Sequence, residues 1–192
     1  MTALVIGLLL FLGVHSTRMV ADGARSRFIE RRGPALWRGL YSLASAVGLA
    51  LIVWGFAQAR QTPWVLWSPP PWTRPLASLS TLLGFVLIAA AYVPRNHFKT
   101  LLGHPMVMGT MLWALGHLLA TRTLADVLLF GGFLLWGGWC LRSLRARDRA
   151  AEPRRTAPRW APTAVAVVAG AALWFVFGRW LHGWLIGVQP FA

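Results

Sequence analysis

The chain has 192 residues, 57% of them hydrophobic and only 12% charged, with a mean hydropathy of +0.57. Soluble domains carry about a quarter charged residues and avoid large exposed apolar patches, so a soluble enzyme is excluded. The 19 Lys and Arg against 5 Asp and Glu leave a net charge of +14, which in a membrane chain is first a question of topology.

Apolar segments long enough to span a bilayer need roughly 17–25 residues. Six candidates appear in chain order, at about 2–20, 36–57, 76–93, 105–120, 124–141 and 161–187. The fourth is short and the last is long, so tilt or mismatch is expected there. Each satisfies its backbone internally as a helix. The expected fold is therefore all-α, a polytopic transmembrane bundle of about six helices. The first run has no basic segment before it and no small-residue cleavage site after it, so it is expected to be a retained helix. Residues 1–141 are expected to form a five-helix core, 142–160 a basic linker, and 161–192 a last spanning helix. The single cysteine, Cys140, excludes a disulfide framework, a CxxCH haem attachment and a cysteine zinc cluster.

The loops hold the charge. Loops one, three and five, with their flanks, carry fifteen basic residues, among them Arg18, Arg38, Arg95, Arg142, Arg154 and Arg155. Loops two and four carry three, Arg60, Arg74 and Arg122. That asymmetry places the odd loops in the cytoplasm and both termini in the periplasm. The basic excess is thus a topology signal, with a share for anionic lipid, and no nucleic-acid partner is expected. Loop two is proline-rich and carries Trp64, Trp67 and Trp72, which suit an interfacial belt or the cap of an outward pocket.

Ionisable side chains inside a bilayer are costly and mark functional candidates. His15 sits about five residues from the cytoplasmic end of the first helix, with Arg18 one turn further on. It either faces a metal centre or is hydrogen-bonded between helices, for example to Ser42 or Ser45. His104 and His117 lie thirteen residues apart along the fourth span. That separates them by roughly 20 Å along the axis, so one metal cannot take both. A single-iron site then pairs His15 with one of them, or uses one alone. His117 shares a face with Trp113, while Gly109 and Gly116 admit a close helix or a flat ring. His182 and Arg179 are expected to snorkel beside Trp180 and Trp184. His97 is expected in a solvated turn, and Asn96 is a candidate polar contact at the mouth of a site. Tyr41, Ser45 and Gly48 form one helix face for packing, with Ser16 and Thr17 hydrogen-bonding across it. Asp126 reads as a carboxylate in a first helical turn.

The Phe-Leu-Gly-Val-His-Ser segment at 11–16, Gly-His-Pro at 103–105 with Gly109, Trp-Ala-Leu-Gly-His-Leu-Leu-Ala at 113–120 and Leu-Leu-Phe-Gly-Gly-Phe-Leu-Leu-Trp at 128–136 resemble the NnrU family over most of the chain. The resemblance implies a bacterial inner-membrane protein associated with nitrite and nitric oxide reduction. The family is similar to 15-cis-zeta-carotene isomerase, which implies b-type haem held by His15 and His117. The isomerase's exchanging cysteine is Ala114 here. Arg18 and Arg38 are then expected at the haem carboxylates, and Trp113 beside the ring. Depth counting puts His15 in the cytoplasmic half and His117 in the outer half, so His104 is the alternative partner of His15.

The His-Pro-x-x-x-Gly segment is also similar to isoprenylcysteine carboxyl methyltransferases and nurim-like proteins. That likeness implies S-adenosylmethionine near His104 and Asn96. Here Gly103 and Val107 stand at that motif's Arg and Tyr positions, and Asp148 and Glu152 are isolated acids where those enzymes carry a Glu pair. A third reading is a non-enzymatic assembly factor for nitrite or nitric oxide reductases, with a redox or denitrification-complex partner.

Overall fold

The computed structural model describes residues 1–151 and 157–191, and every regular element among them is helical. Glu152, Arg154 and Arg155 lie outside the described residues. Eight helices follow one another: α1 Thr2–Val20, α2 Asp22–Arg32, α3 Pro34–Ala59, α4 Thr73–Tyr92, α5 His97–Leu102, α6 Pro105–Ala120, α7 Leu124–Ala151 and α8 Trp160–Ile186. Five of them, α1, α3, α4, α7 and α8, are long and apolar enough to cross a membrane. The sixth expected span, α6, has 16 residues. At ~1.5 Å per residue it reaches about 24 Å, short of a ~30 Å hydrocarbon layer. Large aliphatic side chains lie on the outside of the protein, Leu135 being 78% exposed. Such a surface is compatible with lipid rather than water.

Local chemistry explains the helix ends. Pro34 and Pro105 open α3 and α6, where a missing N–H costs nothing. Gly33 at φ +86° and Gly103 at φ +78° provide the breaks before them, in a region that disfavours side chains. Thr123 and Asp126 form a reciprocal capping box at the start of α7. The expected first-turn role of Asp126 is therefore its observed one. The first basic loop is in fact the helix α2, and α7 runs through the arginine-rich stretch to Ala151. Leu141, Leu144, Ala146, Ala150 and the arginines between them are all good helix formers, so loss of hydropathy does not end the helix.

Two wide turns interrupt the α geometry, Val127–Gly131 in α7 and Phe177–Leu181 in α8. Each has π-type hydrogen bonding, a form common at functional sites.

The contacts divide the chain into two compact units. The first comprises Met1–Ser68 and Thr121–Trp136. Its centre is the antiparallel contact of α1 with α3, where glycines remove the side chains that would hold the backbones apart. Gly55 faces the backbone of Leu4, Gly7 that of Ile52, and Gly48 that of Phe11. Leu4 is completely buried in this contact. Close approach through small residues replaces the hydrophobic drive that lipid cannot supply. The segment after α3 is tied to the start of α7 by Leu66 N–H to Arg122 O and Leu124 N–H to Trp64 O, each 2.9 Å. Trp64 and Trp67 are exposed along it.

The second unit comprises Pro69–Ala120 and Gly137–Ala192. Here α4 is central and packs against both α6 and α8. Gly84 and Gly109 meet backbone to backbone, Gly116 lies against Ala77 and Thr81, and Gly170 against Val86. Of the two uses left open for Gly109 and Gly116, helix packing is the one observed. Ser80 Oγ donates to Leu112 O at 2.8 Å, and Trp174 Nε1 donates to Thr81 Oγ1 at 3.0 Å.

Candidate functional site

In the first unit, His15 stands one turn after Phe11 on α1. Its Nδ1 donates to Phe11 O at 2.7 Å. A carbonyl can only accept, so Nδ1 carries the proton and the lone pair of the neutral ring belongs to Nε2. Three aromatic rings surround the imidazole. Phe11 stacks on it at 4.2 Å between centroids, Tyr41 of α3 lies at 5.2 Å, and Trp136 of α7 presents an edge at 6.2 Å. Trp136 is held by its own Nε1–H, which donates to Ser16 Oγ at 3.2 Å.

The expected bond of His15 to Ser42 or Ser45 is not formed; its own helix supplies the acceptor. Likewise Ser16 donates to Leu12 O and Thr17 to Val14 O, one turn back on α1, instead of reaching across to α3. Polar hydroxyls inside apolar helices return to the i−4 or i−3 carbonyl when no partner lies opposite. Ser45 Oγ is buried without a hydrogen-bond partner. It lies one turn from Tyr41 on the same face of α3. Arg18 and Arg38 are exposed, with no ion-pair partner among the described residues.

In the second unit, His117 repeats the arrangement of His15. Its Nδ1 donates to Trp113 O at 2.8 Å, four residues back on α6, and the Trp113 ring lies 5.1 Å away. His104 is placed differently. Its Nε2 meets Asp148 Oδ2 of α7 at 2.8 Å. The pairing with Asp148 is not visible in the sequence, because the two are 44 residues apart.

Asn96 is fully buried. Its Oδ1 accepts from Lys99 N at 2.8 Å and caps α5, while Nδ2 donates to Ala90 O and Val93 O at the end of α4. All three of these hydrogen bonds go to the backbone, and Lys99 Nζ donates to Ala91 O at 2.7 Å beside it. His97 is not the solvated residue the sequence suggested. Its backbone N–H and its Nδ1 both bond Thr163 Oγ1 of α8, and its ring stacks on Trp160 at 4.2 Å. His182 also departs from simple snorkelling. Its Nδ1 donates to Val188 O at 2.8 Å, and its ring lies beside that of His117. Arg179 does lie over the Trp180 ring, at 5.8 Å.

No group of three or more His, Cys, Asp or Glu capable of holding a metal ion occurs among the described residues. Haem asks for less, because the porphyrin fills four positions and the protein supplies only axial ligands. The donor chemistry suits that demand. An imidazole that ligates through Nε2 usually donates Nδ1–H to a carbonyl or carboxylate, which fixes tautomer and orientation. His15 in one unit and His117 in the other both have this arrangement.

Five apolar spans, glycine-mediated helix contacts and histidines locked within the spans define a polytopic helical membrane protein. The chain belongs to the NnrU family, whose model, described as NnrU protein, matches residues 3–190. No curated protein and no solved structure matches the chain.

Proposed function

We propose that this NnrU-family protein is a b-type haem protein of the bacterial inner membrane, with His15 as an imidazole ligand, acting in redox or nitrogen-oxide metabolism. The observation that carries the proposal is the hydrogen bond from His15 Nδ1 to Phe11 O, which leaves the lone pair of the neutral ring on Nε2. Phe11 O holds the ring against rotation. Phe11, Tyr41 and Trp136 pack around His15, while Arg18 and Arg38 offer exposed guanidinium groups to carboxylates at the cytoplasmic side. Bound haem supplies a one-electron redox centre whose potential answers to those surroundings.

The test is optical. Protein expressed with haem supplied and purified in detergent is expected to show a Soret band. His15→Ala is expected to reduce it by about tenfold, with unchanged elution on size exclusion. Absence of the band in the wild-type protein, together with failed reconstitution, would overturn the proposal.

The S-adenosylmethionine reading draws less support. Asn96 caps α5 and His104 pairs with Asp148, and both bonds compete with contacts to a cofactor.

The charge asymmetry supports cytoplasmic odd loops and periplasmic termini. Alkaline phosphatase fused after Phe191 is accordingly expected to be active and a fusion after Gly33 inactive. The reverse pattern would invert the topology.

A further inference from the structure

At one end of the second unit, the turn after α4 meets the start of α8. Arg159 N–H donates to Arg95 O at 2.8 Å, so the two arginines spring from bonded backbone although they are far apart in sequence. Both are exposed, and neither has an ion-pair partner among the described residues. Further bonds fix this corner. Asn96 Nδ2 donates to Ala90 O and Val93 O on the α4 side. On the α8 side, Thr163 Oγ1 donates to Arg159 O at 2.9 Å and accepts from the backbone N–H of His97. Its single proton is spent on Arg159 O, so His97 Nδ1 is the donor in the bond between the two side chains. The imidazole in turn lies against the Trp160 ring at 4.2 Å.

Arg95 is the one residue other than glycine with a positive φ among the described residues, at +58°. That conformation favours glycine, so the backbone gives no reason for an arginine there. Two aromatic residues mark the depth of the corner. Tyr92, the last residue of α4, is 74% exposed, and Trp160, the first of α8, is 76% exposed. Amphipathic rings of this kind settle between hydrocarbon and headgroups. Arg95 follows Tyr92 by one helical turn in sequence, and Arg159 directly precedes Trp160. Both guanidinium groups therefore start just outside the hydrocarbon, at the level of the lipid phosphates.

We propose that Arg95 and Arg159 form a docking site for the headgroup of one anionic phospholipid. Charge complementarity names the occupant: two guanidinium groups without a described counter-ion stand where the bilayer presents phosphate. Guanidinium binds phosphate oxygens in bidentate fashion. The acyl chains have a path along α8, where Val165 and Val168 are exposed. A zwitterionic lipid carries the same phosphate but brings its own cation, so the net anionic headgroup is preferred. The charge asymmetry of the loops assigns the site to the cytoplasmic leaflet. It uses neither His15 nor haem, and its test is independent of theirs.

Lipid brominated on its acyl chains is the probe, because bromine quenches tryptophan at short range. Full-length protein in phosphatidylcholine vesicles is titrated with brominated phosphatidylglycerol or brominated phosphatidylcholine. The difference between each protein and its Trp160→Phe version isolates the signal of Trp160. Half-quenching is expected at a mole fraction at least about tenfold lower for phosphatidylglycerol. Arg95→Gly and Arg159→Gln are each expected to cut this preference about fivefold, and Arg145→Gln, on α7, to leave it unchanged. Glycine suits the backbone at position 95, so the Tm of Arg95→Gly is expected not to fall, which separates loss of charge from loss of fold. Equal half-quenching by the two lipids in the wild-type protein, or an unchanged preference in the double variant Arg95→Gly/Arg159→Gln, overturns the site. Abolition of the preference by millimolar inorganic phosphate at constant ionic strength would identify a free-anion site and overturns the lipid assignment.

Discussion

Gly55→Leu is expected to prevent α1 from seating on α3. A Cβ at this position would run into Leu4 N and lie 2.7 Å from Leu4 Cα. Both atoms are backbone, so no side chain can swing aside. Overpacking a core costs about 1–3 kcal/mol when side chains can adjust, and parting two helix backbones lies at or beyond the top of that range. At about 2–4 °C per kcal/mol for a chain of this size, the apparent Tm is expected to fall by roughly 10 °C, or the variant to be lost before purification. Gly13→Leu is the control on the facing helix α1, because no atom of another segment lies within 4 Å of its Cβ. Differential scanning fluorimetry in detergent reads both. Equal Tm values for the two variants would contradict the packing described for α1 and α3.

The second large effect is expected at Asn96. Replacement by Leu keeps much of the volume and removes three hydrogen bonds. The carbonyls of Ala90, itself fully buried, and of Val93, half-buried, and the N–H of Lys99 are left without this partner. An unsatisfied buried group costs about 1–3 kcal/mol and a lost N-cap about 1 kcal/mol, so a loss of roughly 3–5 kcal/mol is expected. The damage is expected to be local to the turn between α4 and α5. There Arg95 holds φ +58° and its carbonyl receives Arg159 N–H at 2.8 Å. Amide exchange should therefore rise over residues 93–102 and remain low in α1 and α3. Uniform exchange across both sets would show that Asn96 is not what holds this turn.

Much of the architecture was legible because bilayer-spanning sequence obeys a single strong rule. Apolar runs of sufficient length gave the spans of α1, α3, α4, α7 and α8, and the short α6, to within a few residues at most boundaries. The large miss was the end of α7, where ten further residues continue the helix in polar surroundings. Hydropathy reports where a helix is dry, whereas helix propensity decides where it stops. The basic helix α2 was missed for the same reason. Within the candidate site, the face formed by Tyr41, Ser45 and Gly48 was readable from spacing alone. The pairings of His104 with Asp148, His97 with Thr163 and His117 with His182 were not. Each joins helices far apart in sequence, and no periodicity within one helix encodes its neighbour. The acceptors at Phe11 O, Trp113 O and Val188 O are backbone atoms, which every residue possesses and no motif marks. Asn96 was noticed as polar, but its role as the cap of α5 was not read, because capping and binding draw on the same side chain.

The wide turns in α7 and α8 bear on how relatives of this chain should be compared. In a loop, a one-residue gap is a change of length. Within 127–131 or 177–181 it is a change of face. Removing one residue returns the turn to ordinary α spacing and swings everything beyond it through about 100°. In α7 that would carry Phe133 and Trp136 away from Phe11 and His15; in α8 it would carry His182 away from His117. A relative that matches in composition but lacks one of these residues would thus keep its span and lose the corresponding surroundings of its histidine. Helix length at these two places is a record of the site.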